Sequence, residues 1–239
     1  MANPFSLLTP AEQQPKTIKG MVRGVMTFAL HLAPANLSGF EVCPRRTSGC
    51  SAACLNTAGR GIFDSVQAAR IRRTQLYFVD RAAFMAMLAA DVAKAIAYAE
   101  KRGFIPAFRL NATSDIPWHR VPCNGHKSIM HAFPNVQFYD YTKVAKRLLS
   151  EKLPANYHLT FSLAENNDDE ARAVLANNGN VAVVYRDKAA VARVIDTDPR
   201  VINGDETDLR FLDPRGAIVA LYAKGKAKAD KSGFVRDTF

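Results

Sequence analysis

Apolar positions along the chain follow two rhythms. Between residues 63 and 102 they recur every three to four positions, at Phe63, Val66 and Ile71 and then at Phe84, Leu88, Val92 and Ile96. That spacing predicts two successive helices, broken near Asp80 and stopped by Gly103. Elsewhere the apolar residues form short unbroken runs, at 25–32, 105–110, 136–139, 157–161, 181–185 and 217–221, which read as buried strands. Helical patterns separate several of them: 144–153, then 168–177 with Asn166 or Asn167 as its cap and Gly179 as its stop, and 188–194.

Strands alternating with helices predict an α/β protein with a mostly parallel sheet. About six strand-helix units suit a partial (β/α) barrel, and a doubly wound open sheet uses the same alternation. Each apolar run passes into polar residues on its C-terminal side: Asn111, Thr113, Ser114 and Asp115 after the second, Asp140, Tyr141 and Lys143 after the third, Ser162 and Glu165 after the fourth. In (β/α) folds side chains from separate strands converge at that end, so these residues are the expected site. Helix capping alone would also place Asp, Asn, Ser and Thr there.

Composition narrows the picture. With 48% hydrophobic and 23% charged residues, the 239-residue chain can bury a core. We expect a flexible segment at 1–20, one α/β domain at 21–223 with a cysteine loop at 33–62, and a basic tail at 224–239. The apolar runs at 82–90 and 217–223 fall short of the roughly 20 residues of a membrane helix, so no membrane partner is expected. No charged start followed by an apolar stretch suggests export, which leaves the cytoplasm as the expected compartment. A formal net charge of +10 favours a phosphate-bearing partner, either a nucleic acid or an anionic cofactor.

Three of the four cysteines, Cys43, Cys50 and Cys54, crowd into one loop in a C-x6-C-x3-C arrangement, with Cys123 far downstream. Such a cluster points to metal or redox chemistry rather than to disulfides. A [4Fe-4S] cluster on three thiolates would leave one iron open for a ligand. Zinc would take a fourth ligand from Cys123, His119 or His126, and thiols without a metal are the third option.

A cluster loop directly after the first strand resembles the layout of radical S-adenosylmethionine enzymes, although their usual spacing is C-x3-C-x2-C and their Gly-Gly-Glu segment is absent here. On that resemblance Cys43, Cys50 and Cys54 would hold the cluster. Asn111, Thr113, Ser114, Asp115 and Ser162 would bind S-adenosylmethionine, and Asp140, Tyr141 and Lys143 would face an unknown substrate. A second resemblance covers nearly all of the chain from residue 33 onward. The stretches LSGFEVC at 37–43, NTAGRG at 56–61, RLNATSDI at 109–116, FYDYTK at 138–143, NYHLTFS at 156–162, NVAVV at 180–184, VINGDETDLRFLD at 201–213 and LYAKGK at 221–226 resemble the bacteriophage gene product 88 family. That resemblance implies a phage or prophage protein working in the bacterial cytoplasm, and no particular reaction.

Two other functions fit the same residues. A zinc-stabilised nucleic-acid-binding module would use Arg45, Arg46, Arg60, Arg70, Arg72, Arg73 and Arg81 on phosphates; Arg70 and Arg73, three apart, share one helical face. A Mg²⁺-dependent phosphodiester hydrolase would draw on Asp205, Asp208 and Asp213 together with Asp115 and Asp140.

Overall fold

The computed structural model describes residues 5–57 and 59–239. Strand β1 (Leu8–Thr9) precedes β2 (Val25–Leu30), which is buried at every position. Short helices α1 (Ala35–Ser38) and α2 (Ser48–Ala52) follow, then the long helices α3 (Asp64–Val79) and α4 (Arg81–Glu100). Asp80 separates the long pair as the periodicity predicts, because its carboxylate accepts the Ala83 N–H at 2.9 Å and caps α4. Beyond α4 the chain turns at Gly103, whose φ of 74° is the left-handed conformation that glycine adopts without steric cost. The remaining elements are β3 (Ile105–Arg109), α5 (Ile129–Ala132), β4 (Gln137–Thr142), α6 (Lys146–Leu149), β5 (Tyr157–Ser162), α7 (Asp168–Ala176), β6 (Asn180–Tyr185), α8 (Lys188–Thr197), β7 (Val201–Asn203) and β8 (Ile218–Tyr222).

All six predicted strands are present. Two further strands, β1 and β7, are too short to leave an apolar run in the sequence. The helix expected over 144–153 shrinks to the single turn α6, since Ser150 leaves helical geometry at φ −141° and Pro154 disfavours helix at the residue before it.

The strands form one sheet in the order β1-β2-β3-β4-β5-β6-β8-β7. β1 runs antiparallel to β2, whereas β2–β3, β3–β4, β5–β6, β6–β8 and β7–β8 pair in parallel. The order has two ends, β1 and β7, so the sheet is open. The expected α/β fold with a mostly parallel sheet is there, and the sheet is not closed.

The contacts divide the chain into two compact units where the sequence suggested one domain. In the first, which comprises 1–43, 63–140 and 153–158, parallel register sets Phe28, Phe108 and Phe138 side by side on adjacent strands. Their rings stack with centroids 5.7 and 5.2 Å apart, the packing that in-register aromatic neighbours favour. α4 contributes Phe84, Leu88, Val92, Ala95 and Ala99, all fully buried along one helical stripe. This helix is also long and apolar enough, by length and composition, to cross a membrane. The segment expected to be flexible carries β1, with Leu7, Leu8 and Ala11 buried. It is anchored by Asp91 on α4, whose carboxylate accepts the N–H groups of Ser6, Leu7 and Leu8 at 3.2, 2.6 and 3.1 Å.

The second unit comprises 44–62, 141–152 and 159–239. Its core sets Phe161, Val181, Val183, Ile218 and Ala220 of the strands against Ala171 and Val174 of α7 and Val191 of α8. The segment expected to be a basic tail is packed here too. Val235 and Ala227 are buried, the Arg236 N–H donates to the Val184 carbonyl, and the Arg236 guanidinium meets Asp168 at 2.7 Å.

Candidate anion-binding site at the strand ends

Within the first unit, β2 and β3 lie in parallel register with Ala29 opposite Arg109. The first residue beyond β2 is His31 and the last of β3 is Arg109, so two polar side chains emerge at the same edge. α3 is tied to that edge by Thr74, whose hydroxyl accepts the Ala33 N–H at 2.8 Å and donates to the Arg70 carbonyl at 2.9 Å. One turn of helical spacing then brings Arg70 and Arg73 into the same neighbourhood.

His31 feels the charge of each of these arginines. Burial first, then the charges of Arg70, Arg109 and Arg73 in that order, push its pKa down to about 3, opposed by a hydrogen bond to the Ala29 backbone. His31 nevertheless keeps partial solvent access. Arg70 and Arg109 are each only 7% exposed, and Arg73 is half-buried. Burial lowers the Arg73 pKa from its ordinary value, with Asp91 opposing and Arg72 adding to the shift. Three guanidinium groups from two elements therefore act on the charge of an imidazole that is neutral at physiological pH. Guanidinium forks match phosphate and carboxylate oxygens in pairs, and this arrangement suits an anion.

Next to this cluster lies Asp140 of β4, fully buried. Its two oxygens accept the Asn111 N–H at 2.6 Å and the Tyr157 hydroxyl at 3.0 Å. Burial raises its pKa from 3.8 to about 7, against the pull of those hydrogen bonds and of Arg109, while Asp115 adds to the rise. A carboxyl that titrates near neutrality is a frequent mark of a functional site. Its complete burial closes it off from solvent, and its charge is felt by Arg109 and Asp115.

Other residues expected to bind a cofactor organise the loop after β3. The Asn111 side-chain oxygen accepts from Ser114 Oγ at 2.8 Å and from the Ile116 N–H and Trp118 Nε1 at 2.9 Å each, while its amide nitrogen donates to the Ile116 carbonyl at 2.9 Å. Thr113 donates to the Leu32 carbonyl at 2.7 Å, and the Asp115 N–H donates to the Val42 carbonyl at 2.7 Å. Asn111, Thr113 and Ser114 thus shape the loop that holds Asp115 near Asp140.

Tyr141, Lys143 and Ser162 belong to the second unit. There Lys143 Nζ donates to Ser162 Oγ at 3.2 Å and lies 5.7 Å from the Phe234 ring centroid, and Tyr141 is half-buried. In the same unit Asp205 is paired with Lys224, and Asp213 with buried Arg210 at 3.2 Å.

Cys43, Cys50 and Cys54 are half-buried thiols, not joined in disulfides. Among the described residues no three His, Cys, Asp or Glu side chains group as a metal ion requires. The backbone around Cys50 is shaped by hydrogen bonding instead: Thr47 Oγ1 accepts the Cys50 N–H at 3.1 Å, and the Glu165 carboxylate accepts from the Thr47 hydroxyl and from the Gly49 N–H. The H-x3-C-x2-H spacing around Cys123 has a local cause as well. Asn124 and Gly125, at φ 48° and 80°, form a tight turn that pairs Cys123 with His126. The turn puts Cys123 inside, its thiol pushed up by burial, and His126 outside, while His119 is buried 5.8 Å from the Tyr157 ring.

Arg70 and Arg73 are the pair singled out by helical spacing; their neighbour His31 is not. Its signal in the sequence is a single ionisable residue near the end of the first apolar run, at the strand edge that Asn111 and Asp140 mark on the neighbouring strands.

No curated protein and no solved structure matches the chain. The family model described as Gene product 88 matches residues 7–238, almost the whole length, and the chain belongs to the gene product 88 family.

Proposed function

We propose that this protein is a phage-encoded nucleic-acid-binding protein that grips phosphate with Arg70, Arg73 and Arg109 at the ends of β2 and β3. The observation that carries the reading is that Arg109 ends β3 in register with the end of β2, while Thr74 ties the turn of α3 that carries Arg70 and Arg73 to the chain just beyond β2. Backbone phosphates supply most of the affinity in protein–nucleic acid complexes, and arginine is well suited to their oxygens. The net charge of +10 draws a polyanion in from a distance, and exposed Arg72, next to Arg73 on α3, extends the positive surface. In the cytoplasm of an infected bacterium nucleic acid is an abundant polyanion. No observation favours the iron–sulfur and S-adenosylmethionine, zinc or Mg²⁺-hydrolase readings over this one.

Fluorescence anisotropy with labelled single- and double-stranded DNA and RNA, measured over a range of salt concentrations, tests the proposal. Binding should weaken steeply as salt rises. The Arg73→Ala variant should bind about tenfold more weakly, with a salt slope shallower by about one ion. Indifference to all four nucleic acids at low salt, or an Arg73→Ala variant that binds like the parent protein, would overturn it.

A further inference from the structure

Separate from the strand-end arginines, the cysteine loop carries chemistry of its own. We propose that Cys50 and Cys54 are a redox-active pair that closes to a reversible disulfide by exchange with a low-molecular-weight disulfide such as glutathione disulfide. Both belong to the second unit and lie four residues apart on one turn. The Ser51 N–H donates to the Thr47 carbonyl at 3.0 Å and the Ala53 N–H to the Gly49 carbonyl at 2.9 Å, so the helical path of α2 continues to the residue before Cys54. Residues four apart on such a path share a face, with Cα atoms about 6 Å apart, inside the range of about 4.4–6.8 Å that disulfides span.

Burial repeats with the same period. Gly49 and Ala53 are buried, Ser51 and Ala52 are exposed, and Cys50 and Cys54 are each half-buried. The buried column is fixed in protein: a side-chain carbon at Gly49 would collide with Ser232 Oγ and the Glu165 carboxylate, and Ala53 packs with Ala223, Ala227 and Val235. With that column pressed inward and the intervening residues in solvent, the two thiols share one boundary, where a dissolved oxidant reaches them.

Closure must draw the Cβ atoms from about 5–6 Å to about 4 Å. The far end of the turn can supply that movement. Ala53 leaves helical geometry at φ −87° and ψ 6°, and the Cys54 N–H reaches only the Ser51 carbonyl, at 3.4 Å. Cys54 Sγ accepts the Asn56 N–H at 3.5 Å, which tethers the sulfur loosely. The Arg46 guanidinium donates to Ser51 Oγ at 3.3 Å and brings positive charge to the solvent side of the turn, the sign that attracts anionic glutathione disulfide. The chemistry is two exchanges in sequence. One cysteine thiolate attacks a sulfur of the oxidant, forming a mixed disulfide and expelling one glutathione thiolate. The other cysteine thiolate then attacks the protein sulfur of that mixed disulfide, forming the Cys50–Cys54 bond and expelling the second glutathione thiolate. The protein gives up two electrons and two protons, and the oxidant takes them up as two thiols.

The test is incubation of the reduced full chain with glutathione disulfide in the presence of a chelator, followed by alkylation of the remaining thiols, trypsin digestion and mass spectrometry. Cleavage after Arg46 and Arg60 gives a peptide, 47–60, that holds Cys50 and Cys54 and neither Cys43 nor Cys123. In the oxidised protein this peptide should be unalkylated and lighter by two hydrogens than its reduced form, and dithiothreitol should restore both thiols. Cys50→Ser and Cys54→Ser, each verified as folded by circular dichroism, should stop at the mixed disulfide and carry one glutathione on the remaining cysteine of the peptide. A separate glutathione on each of the two cysteines of the parent protein, a disulfide from either of them to Cys43, Cys123 or a second chain, or a peptide that stays fully alkylated would overturn the proposal.

Discussion

Asp140→Asn should stabilise the folded protein at alkaline pH and leave it unchanged in acid. The folded carboxyl titrates near 7, against 3.8 in an ordinary setting. Between those values the unfolded chain has released a proton that the folded chain still holds, so stability falls as pH rises, and above 7 the full penalty remains. Asparagine keeps the shape, an acceptor for the Asn111 N–H and a polar partner for the Tyr157 hydroxyl, without a charge to ionise. Urea denaturation should show variant and parent alike at about pH 4 and the variant ahead by up to about 4 kcal/mol at about pH 8. His31→Gln supplies the mirror image. A folded pKa of about 3 against 6.5 means that the unfolded chain binds the extra proton, so His31 costs the parent stability as pH falls below 6.5. The His31→Gln variant should therefore gain on the parent toward acid, by at most about 1.4 kcal/mol per pH unit and less where solvent reaches the ring. In mildly acidic solution the two effects oppose each other in the parent protein, and each variant exposes the other slope. A gap between parent and variant that does not change with pH would show that the group is not perturbed as described.

The second large effect belongs to Asn111→Ala. Its side chain makes four hydrogen bonds, and the Trp118 indole N–H and the Ile116 N–H and carbonyl would lose partners inside a buried loop. Each buried polar group left unsatisfied costs roughly 1–3 kcal/mol, so a total loss of about 3–5 kcal/mol is expected. Asn111→Asp keeps the acceptor oxygen and loses the donor to Ile116, and should cost less. A thermal or urea midpoint barely altered by Asn111→Ala would mean that the loop is held by other contacts. Because the loop fixes Asp115, the same variant should also shift the pH profile of Asp140, which a loss of packing alone would not do.

The long helices, their break at Asp80 and the central strands were legible in the sequence because each has a sustained period or an unbroken apolar run. Strands β1 and β7 were not, since two or three residues carry no period and gain their strand character from neighbours already in place. The polar residues near the strand ends were legible as polar residues there, although Asp140 and Tyr141 lie within β4 and Ser162 within β5, and their chemistry was not readable. Asn111 looks like a ligand in one dimension, and three dimensions show that its polar atoms are engaged with Ser114, Ile116 and Trp118. The cysteine spacing suggested a metal, although spacing cannot say whether thiols converge. His31 stood unremarked because its significance comes from Arg70, Arg73 and Arg109, which lie 39 to 78 positions away in the chain.

The clasp formed by Asp91 has a consequence for the order of events in folding. The amides of Ser6, Leu7 and Leu8 wait for a carboxylate 83 to 85 residues downstream. Loop closure over that separation is slow compared with local helix formation, and β1 is therefore a late arrival that docks onto an α4 already formed. Arg73, which feels the charge of Asp91 and donates to the Ser6 carbonyl at 3.4 Å, is completed by the same event. A chain still being synthesised has Arg73 without its Ser6 partner until its own first strand has come home.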